Sequence, residues 1–304
     1  MRGTSFHRYP WGVAEGSRGS GPELGVAAGR VAVLVATSGR RTAMLLERAL
    51  PSVYRQVGVT PERVQVLVVD DNSDESELMR IRTGIEGVRE ALGLDASAFI
   101  TTAVRNERTR GQSGTGAWNT GLGRLAGDVE PPEWVAILDD DDEFTTRHIG
   151  SCLGAARAGV VGIFEQLEWV RDAAVESRCF SAHDLTPEAF FVGNPGVQGS
   201  NLFVCLAALV AIGGFDESLA SATDRDLMIR LLGYAKEIGA SVCALPTVGA
   251  RYHDHRGPRV NTDRARKREG LDRFFEKHES GFGPEPLAAA LERARRLFGY
   301  ERTR

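Results

Sequence analysis

Residues 134–150 read WVAILDDDDEFTTRHIG, an apolar run that ends abruptly in five consecutive acidic residues. The apolar residues 136–138 predict a buried β-strand. Two unit charges about 5 Å apart repel by about 3 kcal/mol at an effective dielectric constant of 20, and far less in bulk water. The acidic run 139–143 is therefore either a solvated loop, or a partly buried site that needs a cation or raised carboxyl pKa values.

Two earlier segments repeat this pattern of a buried strand followed by polar residues. They read VAVLVATSGR (31–40) and VQVLVVDDNSDES (64–76). Helical periodicity follows each of them, and strands that alternate with helices predict an α/β fold with a mostly parallel sheet flanked by helices. Ligands bind beyond the carboxyl ends of such strands. The polar residues 37–40, 70–72 and 139–142 are therefore expected in one crevice.

The second half of the chain alternates less regularly. It predicts a hairpin over 160–180, a strand and helix over 200–215, an amphipathic helix over 224–239, one or two strands over 241–253, and closing helices over 263–278 and 284–298. No linker is visible, so we expect one domain over 30–280 after a flexible tail (1–29), with a C-terminal helix in 281–304. Within that domain we expect two halves, 30–143 and 144–262.

Composition excludes several classes of protein. The net charge of -4 argues against a nucleic-acid partner. No apolar window reaches the length of a transmembrane helix, and the first thirty residues lack the apolar core of a signal peptide. The four cysteines are widely spaced without a CxxC pair, which favours reduced thiols and a cytoplasmic protein.

The acidic run has the chemistry of a metal site. Mg²⁺ and Mn²⁺ prefer oxygen ligands, and they commonly bind one or two carboxylates together with substrate phosphates. A metal at 139–142 could hold a diphosphate leaving group. The alternative is an acidic loop whose last members favour the N-terminus of the next helix.

Several motifs together resemble family 2 glycosyltransferases of the GT-A fold. In chain order they are VAVLVATSGR, LLERALPSVYRQ, VQVLVVDDNSDE, WNTGL, ILDDDDEF and GGFDESLASATDRDLMIRL, and they cover roughly residues 31–232. The likeness implies a single Rossmann-like GT-A domain that uses a nucleotide-sugar donor and inverts the anomeric centre. The sequence departs from the family at Ser38-Gly39, where Tyr-Asn is usual, and at Thr223, where the family has Glu.

The same resemblance implies roles for individual residues. Asp141 would bind the metal through the DXD motif, and Asp224 would be the catalytic base. The positions that would contact the nucleotide are Thr37, Arg40, Asp71, Asp139 and Asp140, of which Asp71 would accept a hydrogen bond from a uracil ring N–H. Separately, Asn119 lies in a glycine-rich helix start (111–121) that we expect to pack close under the nucleotide.

Three of these interpretations have alternatives in the residues themselves. Asp224 stands in TDRD (223–226), which fits a capping box with Thr223 as N-cap. In RYHDHRGPR (251–259), His253 is a candidate metal ligand and Arg256 and Arg259 are candidate diphosphate ligands. All three side chains could equally be solvated in a basic loop.

The expected function is therefore transfer of a sugar from a nucleotide-diphosphate donor, with a UDP-sugar favoured, to an acceptor hydroxyl or similar nucleophile. The expected cofactor is Mn²⁺ or Mg²⁺, and the acceptor could be a small molecule, a glycan or a peptide. One alternative is a catalytically silent nucleotide-sugar binding protein, which has no need of Asp224. The other is a sugar-1-phosphate nucleotidylyltransferase, disfavoured because ATSGRRT (36–42) is poor in glycine.

Overall fold

The computed structural model describes residues 29–109, 114–171, 174–254 and 263–302. Within these ranges, the strands are β1 (Val31–Thr37), β2 (Val64–Asp70), β3 (Thr101–Arg105), β4 (Trp134–Asp139), β5 (Glu143–Phe144), β6 (Val160–Arg171), β7 (Ala174–Arg178), β8 (Leu202–Cys205) and β9 (Ser241–His253). The helices are α1 (42–54), α2 (Glu75–Ala91), α3 (Thr115–Ala126), α4 (His148–Ala155), α5 (Pro187–Val192), α6 (Leu206–Ala211), α7 (Thr223–Glu237), α8 (Arg264–His278) and α9 (Pro284–Phe298). The predicted tail 1–29 lies outside the described residues except for its last position.

The first half of the sheet is parallel, as its apolar runs predict. Strands β3, β2, β1 and β4 lie side by side in that order, and all three pairings are parallel. Thr37 is level with Asp70 across the β1–β2 ladder, and Ala36 is level with Asp139 across the β1–β4 ladder. Because the three strands end in register, the polar residues that follow them meet at one edge of the sheet.

The second half is mixed, which differs from the mostly parallel sheet expected. The order continues β8, β6, β9, β5, with antiparallel pairings at β4–β8, β8–β6 and β9–β5 and a parallel pairing between β6 and β9. The predicted hairpin is β6 with β7, which are antiparallel. A hairpin reverses the chain within a few residues, whereas a parallel pair needs a crossover, and α7 lies in the crossover that leads to β9.

Helix α1 contains a π-helical turn, Leu45–Ala49, directly before the turn that carries Pro51. Proline has no backbone N–H to donate, and the wider turn accommodates that loss without ending the helix. The helix therefore continues through Pro51 and buries Leu45, Leu50 and Val53 against the sheet.

A second, smaller core lies beside the sheet. It joins α5, α8 and α9 through Phe191, Leu219, Leu271, Phe274, Phe275, Ala290, Ala294 and Tyr300. Phe191 stacks on Phe282 with 4.2 Å between ring centroids. Burying one such aromatic side chain stabilises the fold by about 1.5–3 kcal/mol, so this cluster fixes both C-terminal helices beside the start of α7. No helix in the described ranges is long and apolar enough to cross a membrane.

Candidate active site

A cleft of about 1190 Å³ opens at the carboxyl ends of β1, β2 and β4. The N-terminus of α7 forms another part of its lining. Seven of the residues predicted from the sequence line this cleft: Thr37, Arg40, Asp71, Asp139, Asp140, Asp141 and Asp224. The register of the three strands brings the first six together, and the N-terminus of α7 contributes the seventh, Asp224.

The acidic run is not a solvated loop. Asp140, Asp141 and Asp142 are 3%, 4% and 0% exposed. Asp140 accepts a hydrogen bond from the Thr37 hydroxyl at 2.8 Å and from Arg41 Nη1 at 3.1 Å. Burial raises the pKa of Asp140 to about 6, against the attraction of Arg41. Asp140 therefore ties the end of β4 to the end of β1.

Asp142 is not among the residues that line the cleft. Its carboxylate accepts a hydrogen bond from the Ser200 hydroxyl at 2.5 Å and another from the backbone N–H of His253 at 2.9 Å. Burial and the nearby Asp139 carboxylate raise the pKa of Asp142 well above its usual range. Asp142 thus connects β4, β9 and the turn Gly199–Asn201 that precedes β8.

Asp139 and Asp141 concentrate negative charge at the cleft. Burial, followed by the charges of Asp141 and Asp224, raises the pKa of Asp139 to about 8. Arg41 Nη1 lies 3.0 Å from Asp141 Oδ2 and supplies part of the compensating charge. A Cβ atom on Gly199 would lie 3.0 Å from Asp139 Oδ2, so a larger residue there would press against this carboxylate.

This donor set fits a hard divalent cation. It offers carboxylate oxygens that repel one another, and a cation would relieve that repulsion. The predicted contribution of His253 has weaker geometry. Its Nε2 lies 3.2 Å from Glu143 Oε1, and His253 is not among the cleft-lining residues, although its neighbour Tyr252 is. Residues 255–262, which include Arg256 and Arg259, lie outside the described residues.

A different set of potential metal ligands lies away from the cleft. His148, Cys152 and Glu165 are buried between α4 and β6, and their ligand atoms lie within 4.8 Å of one another. His148 Nδ1 and Glu165 Oε2 are 2.7 Å apart, which is a hydrogen bond that joins helix to strand. In the described part of the chain, no second group of three His, Cys or acidic residues meets that distance. Of the four consecutive aspartates, Asp140 and Asp142 are held apart by hydrogen bonds to Thr37 and Ser200.

The α7 N-terminus positions Asp224 through an unusual backbone conformation. Ala222, which precedes the helix, has φ 62° and ψ 22°, a left-handed conformation that costs a non-glycine residue about 1 kcal/mol or more. Asp224 lies in the first turn, facing the cleft. Burial raises its pKa to about 6, and the charge of Lys267 acts in the opposite direction.

The predicted capping box at TDRD is wrong. The N-cap residue is Ala222, and no side chain caps this helix. Asp226 is fully buried and instead binds three basic side chains: Arg230 at 2.6 Å, Lys277 at 2.7 Å and His278 at 2.8 Å. Arg230 is a local partner four residues along α7, whereas Lys277 and His278 join α7 to α8 and lie too far along the sequence for a local motif to reveal.

The two remaining candidates, Asp71 and Asn119, differ in their position relative to the cleft. Asp71 Oδ1 accepts a hydrogen bond from Asn106 Nδ2 at 2.7 Å, which orients its carboxylate at the end of β2. Asn119 is buried outside the cleft lining. Its amide donates to the Phe215 carbonyl at 2.8 Å and accepts from the Phe215 N–H at 2.8 Å. Asn119 therefore packs α3 against the loop before α7, and we assign it no nucleotide contact.

Sequence reasoning missed several residues of the cleft. Arg41 binds two of the aspartates, whereas only its exposed neighbour Arg40 was expected there. Arg225, Lys267 and Arg293 also line the cleft. The adjacent pair Arg40-Arg41 was the one sequence signal for an arginine at the cleft. It does not decide between the two residues, because that choice depends on the direction of the loop after β1.

Comparisons with known proteins agree with this architecture. The sequence model of glycosyl transferase family 2 matches residues 33–173. No curated protein is similar enough in sequence to count as a match. Among solved structures, a mannosyltransferase of Pyrobaculum calidifontis in complex with GDP-Man and Mn²⁺ is similar at 19% identity and TM-score 0.57, over 91% of this chain and 78% of that one.

Two further structures share the fold. TarS of S. aureus is 16% identical with TM-score 0.53, over 88% of this chain and 49% of that one. GalNAc-T7 with UDP, GalNAc and Mn²⁺ is 12% identical with TM-score 0.54, over 82% of this chain and 48% of that one. The model of glycosyl transferase family 2 thus matches residues 33–173 of this chain, and the likeness to these solved structures shows that the chain has the GT-A fold.

Proposed function

We propose that the protein transfers a sugar from a nucleotide-diphosphate donor to an acceptor nucleophile, with metal assistance and with inversion at the anomeric carbon. One observation carries this proposal. A single cleft holds the Asp139–Asp141 carboxylates and Asp224, and the charge of Asp224 is close enough to raise the pKa of Asp139. A metal diphosphate and a base for the acceptor would therefore occupy neighbouring positions.

The nucleotide would bind at the ends of β1 and β2. Thr37, Arg40 and Asp71 line this part of the cleft. Asp71 would accept a hydrogen bond from the ring N–H of uracil, which is why a UDP-sugar is our first choice of donor. These residues do not favour one of the other nucleotide bases, so dTDP-, GDP- and CDP-sugars are tested beside the UDP-sugar.

Asp141, together with Asp139, would hold Mn²⁺ or Mg²⁺. A bound divalent cation neutralises the diphosphate and so makes it a better leaving group. His253 could join these ligands only if its ring left Glu143. Arg256 and Arg259 are proposed as diphosphate ligands on their sequence alone.

Asp224 would accept the proton of the acceptor hydroxyl. A general base acts best when its pKa is near the working pH, and a pKa of about 6 makes Asp224 a stronger base than an ordinary aspartate while leaving it ionised at neutral pH. Its place in the first turn of α7 fixes its position relative to the sheet. The acceptor would be a small molecule, a glycan or a peptide.

We further propose a reducing, cytoplasmic location. All four cysteines are free thiols, and unpaired cysteines are typical of that compartment.

The experiment compares wild type, Asp224→Asn and the exposed control Asp128→Asn. Release of the nucleoside diphosphate is measured with UDP-, dTDP-, GDP- and CDP-sugars in the presence of Mn²⁺ and a panel of acceptors. We expect Asp224→Asn to lower kcat by about 100-fold or more, while nucleotide affinity changes by less than about twofold. Full activity in Asp224→Asn would show that the proposed base is wrong even though the fold is right.

A further inference from the structure

Four cationic side chains line the part of the cleft formed by α7, α8 and α9. Arg266 is exposed and lies 3.7 Å from the carboxylate of Asp263, which also lines the cleft. The other three are Arg225 at the start of α7, Lys267 in the first turn of α8 and Arg293 in α9, and we call these three the basic wall. All three are half-buried. None follows one of the parallel strands, so the basic wall forms the helical side of the cleft.

Neighbouring groups hold two of these cations in place. Arg225 Nε donates to the Phe190 carbonyl at 2.7 Å, and its guanidinium lies 4.2 Å from the centroid of the Phe274 ring. Arg293 packs against the backbone of Gly193, where an added Cβ would lie 2.5 Å from Nε. The second core therefore fixes these guanidinium groups at the cleft before any ligand arrives.

The positive charges of the basic wall repel one another. Burial and the charge of Arg293 lower the pKa of Arg225 to about 9, and burial and the charge of Arg225 lower the pKa of Lys267 to about 8. Burial, Arg296 and Arg178 lower the pKa of Arg293. The charge of Asp224 acts on the pKa of Lys267 in the opposite direction. Half-buried cations that repel one another favour the binding of an anion.

We infer that the acceptor carries an anionic group, a carboxylate or a phosphate, which binds the basic wall beside the hydroxyl that Asp224 deprotonates. This inference rests on the proposed function. Arginine side chains bind both kinds of anion through paired N–H groups. Arg225 directly follows Asp224 in the sequence, and the charge of Lys267 acts on Asp224. The anion would thus anchor the acceptor next to the proposed base.

An anion at the wall could have a second source, which is the diphosphate of the donor. The test separates the two by adding inorganic phosphate as the probe at pH 7, after Mg²⁺ and whichever of UDP, dTDP, GDP and CDP binds have been added to saturation. Phosphate and nucleotide affinities are measured by calorimetry on wild type, Arg293→Gln, Arg293→Lys and Arg295→Gln. The last is the control, since Arg295 is exposed on the same helix and does not line the cleft.

We expect phosphate to bind wild type and Arg295→Gln with the nucleotide already present. In Arg293→Gln we expect phosphate affinity to fall about tenfold or more, with part of it retained in Arg293→Lys and nucleotide affinity changed less than about twofold. Phosphate that competes with the nucleotide would assign the wall to the donor and overturn the inference. So would phosphate affinity that is equal in wild type and Arg293→Gln.

A failure of the proposed function gives a different result. In that case no nucleoside diphosphate binds, and the same phosphate titration is run without nucleotide. Loss of phosphate binding in Arg293→Gln would still support an anion site at the wall. Indifference to the substitution would reject that site as well.

Discussion

The proposed role of Asp224 as the base predicts a pH dependence for sugar transfer. Burial at the cleft raises its pKa to about 6, and Lys267 limits that rise. A general base acts only in its deprotonated form, so kcat falls as the pH drops below this pKa. About one-tenth of the carboxyl is ionised at pH 5 and about nine-tenths at pH 7, so kcat should rise about tenfold across this interval.

The assay must separate Asp224 from the other aspartates. Asp139 and Asp140 have pKa values of about 8 and about 6 without a metal, so rates are measured with saturating Mn²⁺ and donor. Release of the nucleoside diphosphate is followed at constant ionic strength, and the affinity for Mn²⁺ with the nucleotide is measured at each pH. A flat kcat between pH 5 and 7 under these conditions would refute the role of Asp224.

A second substitution shifts the pH at which kcat falls. Lys267→Met removes the charge that opposes the raised pKa of Asp224, so that pKa rises further and the fall in kcat begins at a higher pH. Lys236→Met is the matched control, because Lys236 is exposed at the other end of α7. An unchanged pH dependence of kcat in Lys267→Met would contradict the electrostatic explanation.

Three substitutions test the structural roles assigned above. Burial acts to raise the pKa of Asp226, but the charges of Arg230 and Lys277 and the hydrogen bond with His278 hold that pKa below its usual range. The stabilisation by Asp226 is therefore present at neutral pH and is lost as the pH falls through the folded-state pKa. Asp226→Asn should lower the free energy of unfolding in urea by about 3–5 kcal/mol at pH 7, and a loss below 1 kcal/mol would contradict the buried network. Asn119→Ala should lower it by about 1–3 kcal/mol while nucleotide affinity stays within about twofold, whereas a selective loss of affinity would return Asn119 to the nucleotide site. Ala222→Gly should raise the melting temperature, by relief of about 1 kcal/mol of backbone strain, and a lower melting temperature would show that the left-handed conformation is not strained.

The sequence predicted the parallel half of the fold well. Each of β1, β2 and β4 is a nearly continuous apolar run, because a strand that is buried on both faces needs apolar side chains at almost every position. The meeting of the strand ends follows from parallel geometry alone. The mixed half was predicted less well, because pairing between β4 and β8 depends on contacts between residues about seventy positions apart.

Side-chain directions within the site could not be read from the sequence. The four consecutive aspartates are chemically identical, and their different surroundings come from Thr37, Arg41 and Ser200, which belong to distant segments. The basic wall was missed for the same reason, since α8 and α9 reach the cleft only through packing of the second core. Local patterns predict elements and their ends, whereas partners across the fold require the structure.

The most direct test of the proposed site is calorimetric titration of UDP, dTDP, GDP and CDP, each with and without Mn²⁺, into wild type and Asp141→Asn. We expect one nucleotide to bind wild type tightly only when Mn²⁺ is present, and Asp141→Asn to lose at least about tenfold of that metal-dependent affinity. Nucleotide binding that ignores both the metal and the substitution would contradict a metal diphosphate site at the end of β4.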